Sequence, residues 1–124
     1  MPLYFLEKSR ENLKIAQIGF ENDCYNACAN RAYYAAFQAA VAALLEKGFA
    51  KGKLDHKWVQ AEFSEKLIKR QKVYPSEMKA YLTEMQLIRN KADYEPQSVS
   101  RKTAFRQMTK AEEMIKRIGQ EIEK

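Results

Sequence analysis

Residues 29–48, ANRAYYAAFQAAVAALLEKG, read as a helix that is apolar nearly all the way round. A helix without a solvent face has to lie at the centre of its fold under a cover of other elements, so this stretch decides the architecture. It is expected to run from about Ala27 to Lys47, with Gly48 as its C-terminal stop. The rest of the chain must supply the cover.

Outward from it, every segment long enough to show a period shows the helical one, and none alternates as a strand would. Upstream, a helix from about Tyr4 to Asn22 carries Leu6, Leu13, Ala16 and Phe20 along one side, with Ile15 and Ile18 widening the stripe. Asp23 and Asn26 punctuate its end. Downstream, after the loop GFAKGKLD (48–55), Asp55 is placed to cap a third helix from about His56 to Arg70, with Val59, Phe63 and Leu67 spaced four apart. QKVYPS (71–76) breaks it. Pro75 or Ser76 then opens a fourth helix with the stripe Met78, Tyr81, Leu82, Met85, Ile88 and Ala92, which Pro96 stops. Ser98 or Ser100 caps the last helix, striped by Ala104, Phe105, Met108, Ala111, Ile115, Ile118 and Ile122. Five helices with short connections predict an all-α antiparallel bundle.

Composition sets the outer limits. The 124 residues suit a single domain, 1–124, and 46% apolar with 31% charged residues argues against disorder. The longest apolar run, AYYAAFQAAVAALL (32–45), is too short for a membrane span and is interrupted by Gln38. MPLYFLEKSRENL (1–13) has no secretory pattern, so a cytoplasmic protein without membrane attachment is expected. Cys24 and Cys28 lie four apart with the only histidine, His56, remote from them; no metal site is expected and no cofactor. The formal charge of +6 is concentrated between Lys47 and Lys72, where eight basic residues face three acids. Such a lobe, with Lys51 and Lys53 in its loop, either attracts phosphates or is a solvated lysine-rich surface.

The polar stretch RNKADYEP (89–96) is the candidate site. On a helical wheel Arg89 falls about 45° from the centre of the fourth helix's apolar stripe and Asp93 about 85°, on the same side. A guanidinium at the margin of a buried face needs partners, and Asp93 is one four residues away, with Asn90 and Tyr94 beside it. Asn30 and Arg31 interrupt the otherwise apolar second helix, where an ionised group is costly unless paired or wet. Two arginines near apolar surface suggest a shared polar pocket; alternatively each reaches solvent and the polar residues only tie helices together. His56, directly after Asp55, reads as a first-turn residue.

NRAYYAAFQAA (30–40), DHK (55–57) and RNKADY (89–94), in this order on five helices, resemble the short HEPN-domain proteins over roughly positions 5 to 120. The resemblance implies a four-helix up-and-down bundle with an additional fifth helix, a homodimer, and a minimal nucleotidyltransferase as partner in a toxin–antitoxin pair. Many members of that family are metal-independent ribonucleases, whose signature is an arginine, commonly followed by a polar residue, and a histidine separated from the arginine by four to six residues. Arg89 and Asn90 match its beginning. Tyr94, Glu95 and Pro96 stand where the histidine would be, and Asp93 occupies the comparable place. Cleavage would therefore fall to Arg89 and Asp93, although a carboxylate beside an arginine is poorly suited to act as the acid. Binding of a nucleotide or RNA would involve Arg31, Asn90, Tyr94, Lys51 and Lys53. Tyr94 is also the position the resemblance points to for modification by AMP. Three functions stay open: a nucleotide- or RNA-interacting partner of a nucleotidyltransferase, an active ribonuclease toxin, and a non-catalytic interaction bundle.

Overall fold

The computed structural model describes residues 1–49 and 54–124, and every regular element among them is helical. Helix α1 spans Pro2–Glu21, α2 Tyr25–Glu46, α3 His56–Glu62, α4 Tyr81–Tyr94 and α5 Arg101–Ile122. Lys51 and Lys53 lie outside the described residues.

Helix α2 is the core. Every alanine from Ala32 to Ala43 is buried, as are Tyr33, Val41 and Leu44. These small side chains let the neighbouring helices approach closely, and each large one, such as Leu44, contributes about 1.5–3 kcal/mol by leaving water. Only three residues, Asn22–Cys24, separate α1 from α2, so the two must run antiparallel. Asp23 makes that turn in the left-handed region, at φ 60°. Gly48 ends α2 at φ 78°, where a residue without Cβ carries no strain.

Side-chain bridges give the remaining directions. Arg10 pairs with Glu123 at 2.7 Å and Gln17 Nε2 donates to Glu112 at 3.2 Å, so α1 and α5 are antiparallel. Tyr81 donates to Glu113 at 3.0 Å and Lys110 to Glu84 at 2.9 Å, which sets α4 antiparallel to α5. Helices α1, α2, α4 and α5 therefore alternate as an up-and-down bundle, and α3 is the additional helix. It lies along α2: the His56 ring is 4.6 Å from that of Phe37, and Lys66 sits over Phe49, just beyond the α2 C-terminus.

The caps fall where expected. Asp55 accepts from the Trp58 N–H at 2.8 Å, and Ser100 rather than Ser98 caps α5, accepting from the Thr103 N–H at 3.1 Å. Three expectations need correction. The third helix is α-helical only to Glu62 and continues as a π-helix, Phe63–Arg70, whose wider turn helps bring Phe63, Leu67 and Ile68 into the core together. The fourth opens as a 3-10 turn, Ser76–Lys79, because Pro75 holds the entering chain extended, and becomes α-helical only at Tyr81. Ile15, Ile18 and Phe105 lie 45–52% exposed: each sits at the margin of its helix's stripe, and among the described residues no further helix covers that side.

Candidate functional site

Arg89 and Arg31 converge. The Arg89 guanidinium lies 5.4 Å from the centre of the Tyr34 ring and 5.9 Å from that of Tyr33; the Arg31 guanidinium lies 5.0 Å from Tyr34. Helix α2 thus presents adjacent tyrosines whose rings attract both cations. The helix pair α2–α4 brings the arginines to one place although 58 positions (89 − 31) separate them in sequence.

Hydrogen bonds hold the pair in a defined arrangement. Arg31 donates through Nε at 2.8 Å, and also through Nη2, to Asn30 Oδ1, and through Nη1 to Asn12 Oδ1 at 3.1 Å; Asn12 in turn donates to Gln38 at 2.7 Å. Asn30 Nδ2 donates to both Asp93 oxygens, at 3.1 and 3.2 Å, and Arg89 Nε donates to Asp93 Oδ2 at 3.2 Å. Asp93 is therefore the anion that joins the two arginines, one directly and one through Asn30. Its oxygens are occupied in doing so. Two guanidiniums share one carboxylate, which leaves a net positive charge. Among the described residues Arg89 Nη1 and Nη2 have no acceptor, so its paired outer nitrogens remain available for a bidentate contact.

His56 joins the same cluster. It opens α3, as its place after Asp55 implies, but its ring turns inward, stacked on Tyr33 at 5.4 Å and against Phe37 and Tyr34. The Tyr33 hydroxyl is 2.6 Å from His56 Nδ1 and accepts from Gln60 Nε2 at 3.2 Å; Gln60 also donates to Gln86 at 2.8 Å and accepts from Thr83 at 3.3 Å. Burial, and secondarily the Arg89 charge, push the imidazole below its usual range, with Asp55 opposing. Burial also pushes the Tyr33 phenol up to about 12, so it stays protonated.

Of the residues expected from the sequence, the structure gathers Arg31, Arg89 and Asp93, with Asn30. It leaves Asn90 and Tyr94 outside the network: Asn90 is exposed without a hydrogen bond among the described residues, and Tyr94 is 77% exposed. Sequence reasoning missed Tyr33, Tyr34, Gln60 and His56. The available signals were that Tyr33, Tyr34 and His56 lie in the stretches NRAYYAAFQAA and DHK that carry the resemblance, and that the single histidine directly follows a capping aspartate, which fixes where the helix begins but not what its first ring meets.

Part of the basic region is neutralised locally. Lys47 pairs with Glu46 and Glu121, Lys66 with Glu62 and Lys69 with Glu65, at 3.3–3.8 Å. Lys57 and Lys79 instead flank an open groove of about 490 Å³ between α3 and α4, which shares Gln60 and Thr83 with the cluster. No grouping of metal-ligating side chains occurs among the described residues, and no described helix is long and apolar enough to cross a membrane.

Among curated proteins none matches the chain. The model of the HEPN domain matches residues 3–122. Nearly the whole chain, from the first turn of α1 to the last residue of α5, is thus accounted for by one family, and the protein belongs to the HEPN-domain family.

Proposed function

We propose that the chain binds a phosphate-bearing nucleotide or RNA in a cleft centred on Arg89, acting as the homodimeric partner of a minimal nucleotidyltransferase in a toxin–antitoxin-like pair. Family membership ties it to nucleotide- or RNA-related function in general, and HEPN domains commonly dimerise. The observation that carries the reading is the convergence of Arg31 and Arg89 on Tyr34, with the outer nitrogens of Arg89 unengaged among the described residues. Planar guanidinium forks suit phosphate oxygens, and the neighbouring aromatic rings suit a stacked base. Asp93 serves this reading as a positioning residue. The groove flanked by Lys57 and Lys79 offers a path for the backbone of a longer strand.

A second reading, metal-independent cleavage of RNA, is favoured by one observation: His56 supplies beside Arg89 the imidazole that the stretch after Asn90 lacks. Affinity for 5′-AMP and for an oligouridylate, measured alongside thermal stability and cleavage in chelator, tests both. Binding is expected to fall at least about tenfold in Arg89→Ala. The pair it breaks is partly solvated, so the accompanying loss of stability should be small, about 0.5–1 kcal/mol. Unchanged affinity would remove the binding reading. Cleavage by wild type that vanishes in Arg89→Ala would establish the ribonuclease.

A further inference from the structure

We propose that His56 is a ligand-binding group of the Arg89 cleft: held by Tyr33 with its proton on Nε2, it donates that N–H to the same phosphate that Arg89 engages. The inference rests on the binding reading above and adds a residue, a protonation state and a direction of hydrogen bonding to it.

The direction comes from the bonds around Tyr33. Its side chain is fully buried, and a buried hydroxyl needs a partner for its proton. The hydroxyl already accepts from Gln60 Nε2, so the partner left for its own proton is His56 Nδ1. A phenol is also a strong donor and a neutral imidazole nitrogen a good acceptor. Thr83, Gln60, Tyr33 and His56 therefore form one chain of donors: the threonine hydroxyl gives to the Gln60 carbonyl oxygen, the Gln60 amide to the phenol, and the phenol to the ring. With Nδ1 accepting, the neutral ring carries its hydrogen on Nε2.

Nε2 meets no partner among the described residues. It is not among the enclosed side-chain nitrogens and oxygens that lack a hydrogen bond, so this edge of the ring reaches solvent. The ring and the Arg89 guanidinium lie against the same two aromatics: His56 is 5.4 Å from Tyr33 and 5.9 Å from Tyr34, and Arg89 is 5.9 and 5.4 Å from them. An anion placed there would meet the Arg89 fork and a neutral N–H donor, with Arg31, whose guanidinium lies 5.0 Å from the Tyr34 ring, adding charge. An Nε2–H imidazole cannot take a proton at the edge it presents, so His56 in this state orients a phosphate and does not activate a 2′-hydroxyl.

Because the chain has one histidine, long-range proton–nitrogen NMR of the wild-type protein at pH 7 reads its tautomer without ambiguity. The expected spectrum has a protonated Nε2 and an unprotonated Nδ1, and titration with 5′-AMP or oligouridylate should shift both the His56 Nε2–H and the Arg89 Nε–H signals. A preference for one probe separates a terminal phosphate from a strand's diester. His56→Gln, which keeps an amide N–H near the Nε2 position, should hold affinity within about threefold, whereas His56→Phe should lose about tenfold. A proton on Nδ1, or a charged ring at pH 7, overturns the inference. So does a titration that moves the Arg89 signal and leaves His56 still, with the binding reading intact. If neither signal moves, the binding reading itself fails and takes the inference with it.

Discussion

At the scale of single residues, the histidine makes a measurable statement about pH. Folding places the His56 ring beside Tyr33, Tyr34 and Phe37, next to the cationic Arg89 and after the acidic Asp55, and the balance lowers its pKa from 6.5. The unfolded chain therefore binds more protons than the folded one at pH values between the lowered value and 6.5. Stability from this group is complete above about pH 6.5 and is lost as pH falls through the folded value. Thermal melts of wild type and His56→Gln should run parallel above pH 6.5 and converge below it. Lines parallel throughout would show that the ring does not titrate differently on folding. Glu121 and Glu123, held below 4.5 by Lys124 and Arg10, act in the same direction but only in more acidic solution. Removing the Tyr33 hydroxyl, in Tyr33→Phe, should cost about 1 kcal/mol and release His56 from its single tautomer.

At the scale of elements, two helix caps of similar chemistry should have unequal functional consequences. Asp55 caps α3 and Ser100 caps α5, each by accepting a backbone N–H three residues on. Replacing either by alanine should cost about 1 kcal/mol. Helix α3 begins with His56, whereas the first turn of α5 carries no residue of the Arg89 cluster, so only Asp55→Ala should also weaken nucleotide binding. Equal losses of affinity in both variants would mean that binding follows overall stability and not the placement of α3. The π-helix Phe63–Arg70 that continues α3 belongs to the same picture: its wider turn seats Phe63 against Tyr74, with ring centres 5.4 Å apart, and helps anchor α3, whose first residue is the histidine.

At the scale of the whole molecule, charge and apolar surface define what the protein meets. Lys57 and Lys79 flank the α3–α4 groove, so if RNA follows it, affinity should fall steeply with added salt, and reversing both charges should flatten that dependence. A salt response identical in the doubly reversed variant would return the groove to ordinary solvated surface. Leu3, Ile15, Ile18, Leu87 and Phe105 are large apolar side chains about half exposed, more than a small bundle gains from displaying. Sedimentation equilibrium should therefore report a dimer, and a monomer at all accessible concentrations would remove the homodimer from the proposed function.

The helices were legible in the sequence because the 3.6-residue period, the caps at Asp55 and Ser100, and the stops at Gly48 and Pro96 act over a few neighbouring residues. The same locality made Arg89 and Asp93 readable as a pair one turn apart, and Arg31 as a charge that needed an explanation. What a helix margin would meet was not local. Ile15 and Phe105 belong to apolar stripes and still face outward, since coverage depends on where other helices lie. Whether Arg31 and Arg89 would meet, and whether an isolated histidine would turn toward them, depended on the packing of α2, α3 and α4. By itself the sequence determined an all-helical bundle with an apolar central helix and polar residues at its weak points. Only the tertiary structure decided that those residues form one cluster, because distances between helices are set by how their side chains interlock and not by their spacing along the chain.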